Sequence, residues 1–146
     1  MAASIISGVR DYIAACPLLS SITAKNRHID WTDETAGNYG ISPDGDTLEK
    51  KFITGTGHGK RLYCFSIFIR QFSFEDYQRL ANSEFIEGLQ SWCESQSKLK
   101  VLPTLPIGST PTRITAENGM IFEIDKAGKT GLYQIPFKLY YNKTGG

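Results

Sequence analysis

The stretch KRLYCFSIFIRQF at residues 60–72 determines most of the architecture, because its apolar side chains recur at every second position. Alternate residues of an extended chain share one face, so Tyr63, Phe65, Ile67 and Ile69 would form a wholly apolar surface. The opposite face is mixed and carries Leu62, Cys64, Ser66, Phe68 and Arg70. A sheet that turns one face to water has a more polar second face than this. We therefore predict a long strand whose mixed face is covered by a helix or by another subunit.

Two segments on either side of this strand have the periodicity of amphipathic helices. In the first, Ser4 can cap a helix that ends before Pro17. The second begins near Ser73, and the capping residues Asn82 and Ser83 leave open whether it is one helix or two. The strongest apolar stripe of this second segment comprises Phe85, Ile86, Leu89, Trp92 and Cys93.

The remaining segments predict further strands. Residues from about 27 to 48 read as short strands and turns, with a turn signal at Asp44-Gly45-Asp46, and Leu48 to Thr54 reads as a further strand. The last third predicts a three-stranded meander over residues 112–117, 120–125 and 132–141. Asn118-Gly119 is a strong hairpin signal between the first two of these strands. Pro136 lacks a backbone donor, which predicts that the third strand lies at an edge or carries a bulge.

Together these elements predict an α+β fold. Residues 1–146 are expected to form a single domain with a flexible tail from about residue 142. The domain would hold an antiparallel or mixed β-sheet flanked by two main amphipathic helices.

Composition excludes several classes of protein. Residues 1–73 carry eight basic and seven acidic residues, and residues 74–146 carry eight of each. This balance disfavours nucleic acid as the main partner, although the tertiary structure could still build a local basic patch. The three cysteines, Cys16, Cys64 and Cys93, suggest no disulfide framework and fit a reducing cytosol. No run of about 18 apolar residues occurs, so we expect no membrane partner.

No motif predicts catalysis, a metal or a cofactor. The two histidines, His28 and His58, have no partner at metal-binding spacing. The loop from Gly55 to Lys60 resembles a phosphate-binding loop, but Thr54 and Arg61 depart from that pattern and a strand follows it. We therefore expect a non-enzymatic protein with no catalytic, cofactor or metal site.

The same glycine-rich loop is a candidate contact for a partner subunit. It comprises Gly55, Gly57, His58, Gly59, Lys60 and Arg61. Aromatic side chains commonly anchor protein interfaces, and the candidates here are Phe72, Phe74, Tyr140 and Tyr141.

Four segments carry a resemblance to a known family: residues 82–92, residues 132–141, the opening helix with Cys16-Pro17, and the connector from Leu102 to Gly108. They resemble the tail terminator family of long-tailed phages, whose relatives are often labelled minor capsid proteins. The resemblance implies a hexameric ring of this chain that caps the head-proximal end of the tail tube and ends tail elongation. It also implies contacts with the major tail protein and with a head-completion or connector protein. DNA would pass through the ring without specific binding, and the protein would assemble in the host cytoplasm and reside in the virion tail or neck.

Two alternatives stay open. The chain could be another neck, minor capsid or head-completion protein, which would share its size and its lack of chemistry. It could instead be a small ligand-binding protein or acyltransferase, with a deep pocket and a perturbed titratable residue. Neither His28 nor His58 lies in a His-His-x-x-x-Asp-Gly motif, in which such an acyltransferase carries its general base.

Overall fold

The computed structural model describes residues 4–19, 22, 27–29, 37–51, 59–72, 76–124 and 130–143. Its two α-helices are α1 (Ile5–Ala14) and α2 (Asp76–Lys98), and a 3-10 turn spans Pro17–Leu19. Its six strands are β1 (Arg27–Ile29), β2 (Asn38–Lys51), β3 (Gly59–Phe72), β4 (Ser109–Ala116), β5 (Met120–Ile124) and β6 (Thr130–Lys143). The predicted α+β fold is confirmed.

The six strands form one mixed sheet in the order β1-β2-β3-β6-β4, and β5 also pairs with β6. Only the β1–β2 pair is parallel among the described strands. The centre of the sheet is the long β3–β6 ladder, which runs from Gly59 opposite Lys143 to Phe72 opposite Thr130. The alternation predicted for β3 is confirmed, because Phe65 and Ile67 are fully buried.

Both helices pack on one face of this sheet. The Ser4 side chain caps α1 by accepting a hydrogen bond from the Ser7 backbone N–H at 3.2 Å. The rings of Tyr12 on α1 and Trp92 on α2 lie 5.0 Å apart, so the two helices also touch each other. The other face of the sheet has no helix upon it within the described residues, and we name it the uncovered face. The sequence predicted that a helix or another subunit covers the mixed face of β3, and no helix of the described residues does so.

The position of Pro136 corrects the sequence prediction, because β6 is a central strand rather than an edge. Pro136 lies opposite Ser66 in the unbroken β3–β6 ladder. On its other side, its carbonyl accepts a hydrogen bond from Glu117, in the gap between β4 and β5. The N–H and C=O of one strand residue point the same way, so the missing donor also faces this gap. The ladder loses no hydrogen bond there, and the bulges occur in the partners β4 and β5 instead.

The predicted hairpin at Asn118-Gly119 is wrong. Both β4 and β5 are antiparallel to β6, so β4 and β5 run in the same direction. They pair with successive parts of β6 instead of with each other. Asn118 has a φ of 62°, and this left-handed residue bends the chain between the two strands. The bend brings Gly119 against α2, where its backbone N–H donates to Gln90 Oε1 at 2.9 Å. Asn118-Gly119 therefore forms a contact with helix α2 instead of the predicted tight turn.

The structure also bears on three smaller points of the sequence analysis. The Asp44-Gly45 turn is a bulge within the continuous strand β2, and Gly45 has a φ of 144°. Asn142 and Lys143, near which the flexible tail is expected to begin, are paired on both sides in the sheet, and residues 144–146 lie outside the described residues. Helix α2 is unbroken at Asn82, whose side chain donates to the Tyr133 hydroxyl at 3.1 Å instead of capping a new helix.

Candidate functional site

A basic cleft lies at the end of the sheet where β3 begins and β6 ends. Its volume is about 550 Å³. Its lining residues are mostly polar or charged and are Lys60, Arg61, Lys100, Thr112, Arg113, Tyr140, Tyr141 and Asn142. We refer to this group as the basic cleft.

Strand register brings the cleft residues together from three strands. Lys60 and Arg61 of β3 lie opposite Asn142 and Tyr141 of β6. On the far side of β6, Arg113 of β4 lies opposite Tyr140. A bulge between Pro111 and Arg113 leaves Thr112 out of the ladder, and its hydroxyl donates to the Tyr140 carbonyl at 3.0 Å. The bulge thereby exposes the Thr112 carbonyl to a further donor.

Helix α2 contributes the fourth cation through the residue just after its last turn. Lys100 has a φ of 59°, the left-handed conformation that commonly ends a helix. Its Nζ donates to the Thr112 carbonyl at 3.2 Å, which ties the helix end to the bulge in β4. The position of this ammonium group therefore depends on the helix end and the strand together.

The electrostatics of the cleft are locally positive. Among the residues that the structure describes, four cations line it and no carboxylate does. The guanidinium carbon of Arg113 lies 4.3 Å from the centroid of the Tyr140 ring, a cation–π contact that holds the guanidinium in place. Lys143 lies at the same end of the sheet, opposite Gly59 and Ser109. A chain of net charge +1 thus concentrates positive charge at one end of its sheet.

The structure brings together several residues of the predicted contact loop and interface. Gly59, Lys60 and Arg61 begin β3, and the last two line the cleft beside Tyr140. Tyr141 also reaches the cleft but is only 2% exposed, since its ring packs into the chain's own core. The other predicted positions, Gly55, Gly57, His58 and Phe74, lie outside the described residues, as does the side chain of Phe72.

Lys100 and Arg113 are the cleft residues that the sequence did not indicate. No local pattern connects them with Lys60, which is 40 or more positions earlier in the chain. Arg113 joins the cleft only because β4 pairs with the end of β6 that also pairs with the start of β3.

A second candidate surface is the apolar edge formed by β5. Its exposed apolar residues and their exposed fractions are Met120 59%, Ile121 38%, Phe122 58% and Ile124 56%. The ring of Phe122 packs edge-on against Phe68 at 5.4 Å, which extends the apolar edge onto the uncovered face. A groove of about 450 Å³ separates the start of β5 from α2. An apolar edge strand left in water promotes pairing with another chain, so this edge is suited to a partner.

The titratable groups whose pKa is raised by burial lie in the core rather than in the cleft. Burial raises the pKa of the Cys93 thiol to about 12, and burial also raises the pKa of Cys16 and of Tyr12. Buried, protonated thiols are poor nucleophiles. Within the described part of the chain, no three His, Cys, Asp or Glu residues are grouped as metal ligands. No helix found there is both long enough and apolar enough to cross a bilayer.

No known family model matches this chain, and no curated protein matches its sequence. Among solved structures, the chain is similar to one from the virion of a native gene transfer agent particle. The two are 9% identical, with a TM-score of 0.61, and the alignment covers 95% of each chain. At this identity the likeness shows a shared fold over nearly the whole length.

Proposed function

We propose that this chain is a non-enzymatic structural protein of a phage-like particle and serves as its tail terminator. In this role it forms a hexameric ring that caps the head-proximal end of the tail tube. The ring ends tube elongation and gives the head-completion or connector protein a surface to bind. The observation that carries the proposal is the fold shared with a gene transfer agent virion chain over 95% of both chains.

The apolar edge supports assembly into a ring. A closed ring repeats one interface in which two different patches of each subunit meet. Among the described strands β5 pairs with β6 alone, so its outer backbone groups have no partner there, and its large apolar side chains are exposed. Leaving such a strand exposed in a soluble monomer favours aggregation. A neighbouring subunit in a ring would cover it.

The lack of an evident reaction centre in the described residues supports a structural role. The basic cleft holds cations and hydroxyls but none of the described carboxylates or histidines that usually act as a general base. The thiols of Cys16 and Cys93 are fully buried in the core. We therefore assign the surfaces of this chain to contacts with itself, the major tail protein and the connector.

The first test is the mass of the purified chain in solution, measured by light scattering over a range of concentrations. We expect a stable hexamer. Replacing Met120 and Ile124 together by Glu places charges on the apolar edge and should yield monomers. The matched control replaces Leu99 and Ile107, which are 72% and 81% exposed away from the sheet edge, and should keep the hexamer. A wild-type chain that stays monomeric, even with tail tubes added, contradicts the proposal.

A second measurement separates the terminator from another neck or head-completion protein. The purified chain is added to polymerising major tail protein, and tube lengths are measured by electron microscopy. A terminator bound at one tube end stops growth, so tubes shorten as its concentration rises. A ring that leaves tube length unchanged but binds a connector protein favours the alternative neck role.

A further inference from the structure

We propose that the basic cleft binds the phosphate backbone of nucleic acid without sequence preference. This activity goes beyond the proposed role in particle architecture, because a terminator needs only protein contacts to form a ring and cap a tube. It also differs from the expectation based on composition, which disfavoured nucleic acid because the charge is evenly divided along the chain.

The tertiary structure separates charges that alternate along the sequence. Among the residues that the structure describes, no carboxylate lies within ion-pair distance of Lys60, Lys100 or Arg113. On the uncovered face, the carboxylate of Asp44 accepts a hydrogen bond from Ser66, six residues along β3 from Lys60. Six residues of strand correspond to about 20 Å, so this carboxylate does not neutralise the cleft.

Further positive residues surround the four cations of the cleft. Lys138 is exposed on the same strand as Tyr140, two positions away and therefore on the same face. Lys143 of the same strand lies opposite Gly59 of β3 and Ser109 of β4, so positive charge also lies at the last described position of β6.

The spacing of the cations suits a phosphate backbone. Neighbouring strands are about 4.8 Å apart and successive residues about 3.4 Å apart, so the backbones of Lys60 on β3 and Arg113 on β4, which face the same side of the sheet, are separated by about 12 Å across β6. A duplex strand carries one phosphate per 3.4 Å of axis, so this width spans about three phosphates. The Tyr140 ring holds the Arg113 guanidinium in place, and a planar guanidinium can donate two hydrogen bonds to one phosphate.

The chemistry of the cleft favours nucleic acid over an acidic protein surface. Stable protein interfaces centre on apolar or aromatic anchors that become buried. In the cleft, Arg113 already covers one face of Tyr140, and Tyr141 is buried in the core. The exposed apolar anchors lie on β5 instead. The described cleft residues lie on strands and just beyond a helix end, where their charges suit phosphates rather than base edges, so we expect binding that is independent of sequence.

The test measures fluorescence anisotropy of a labelled 20-base-pair duplex titrated with the full-length chain, between 50 and 200 mM salt. Neutralising four phosphates gives a salt slope of about −3.6, which weakens binding by about 150-fold over this range. Replacing Lys60 and Arg113 together by Gln should halve the slope, so that binding weakens by only about 12-fold. The matched control replaces Arg10 and Lys98, two helix cations paired with Asp11 and Glu94, and should leave the slope unchanged.

Three results would overturn the proposal. They are an absence of binding at 50 mM salt, an equal loss in the Arg10 and Lys98 control, and competition by poly-glutamate equal to that of DNA at the same charge. The last result would assign the cleft to an acidic protein. Light scattering on the same samples keeps this inference separate from the ring: a hexamer without DNA binding refutes the cleft alone. A chain that stays monomeric even with tail tubes added, but binds DNA with the predicted slope, refutes the ring alone.

Discussion

Replacing Gly119 by Ala should destabilise this protein even though alanine is ordinarily an easy substitution. A Cβ built at Gly119 meets Ile86 Cγ2 at overlapping distance, Gln90 Oε1 at 2.9 Å and Ile135 Cγ1 at 3.2 Å. Both isoleucines belong to the core, where Ile86 is 5% exposed and Ile135 is fully buried. Space is therefore made only if β5 or α2 moves. Movement also lengthens the hydrogen bond from the Gly119 N–H to Gln90.

The expected cost follows from these contacts. Overpacking a core by one methyl group costs about 1 to 3 kcal/mol. Weakening the hydrogen bond to Gln90 adds about 1 kcal/mol. We expect the free energy of unfolding to fall by about 2 to 4 kcal/mol, and the Tm by roughly 4 to 16 °C for a chain of this size. Urea unfolding followed by circular dichroism, at one fixed protein concentration, measures the change.

Gly88→Ala is the matched control, with the opposite expected sign. Gly88 lies within α2, and its added Cβ would meet only Leu18 Cδ1 at 3.5 Å, an ordinary contact distance. Alanine in a helix is favoured over glycine by about 1 kcal/mol, so this variant should be more stable than the wild type. The Ile86→Ala substitution removes the overlapping methyl group. In that background, Gly119→Ala should lower the free energy of unfolding by less than it does in the wild type. A Gly119→Ala chain as stable as the wild type would refute the close approach of β5 to α2.

Three further predictions concern a hydrogen bond between α2 and β6 and the cysteines. Removing the Asn82 to Tyr133 hydrogen bond by Asn82→Ala or Tyr133→Phe should cost about 1 kcal/mol, and a double-mutant cycle in urea should show that the two costs are not additive. The Cys93 thiol loses its proton near pH 9 when unfolded but only at about pH 12 when folded, so stability should fall as pH rises from about 9 towards 12. Cys93→Ala should flatten that decline, and an equal decline in this variant would show another group responsible. In the native state at neutral pH, a thiol reagent should modify half-buried Cys64 well before Cys16 or Cys93.

Local periodicity was sufficient to predict several elements of this fold. The alternation in β3, the Ser4 cap of α1 and the apolar stripe of α2 are all found as predicted. Each depends on backbone geometry within a few residues, where side-chain direction repeats every 2 or 3.6 positions. The α+β class follows from the order of such elements, so it too was available from sequence.

Strand partnership could not be read in the same way. Asn118-Gly119 has the composition of a hairpin turn, yet β4 and β5 both pair with β6 because α2 draws Gly119 towards Gln90. Proline is typical of edge strands, yet Pro136 lies in a central strand. This is possible because its missing donor faces the gap between β4 and β5. In both cases a contact far away in sequence outweighed the local preference.

Some residues of the candidate site could be predicted from sequence, and others could not. Lys60, Arg61 and Tyr140 could be singled out by sequence because a glycine-rich loop and an aromatic strand mark them as contact residues. The tertiary structure was needed to show that these residues lie beside Lys100 and Arg113. The pairing of β6 with both β3 and β4 brings the residues of β3, β4 and β6 to one end of the sheet. Sequence thus determined the elements and the even charge along the chain. The order of strands decided where that charge accumulates, because pairing between strands does not depend on their separation in the chain.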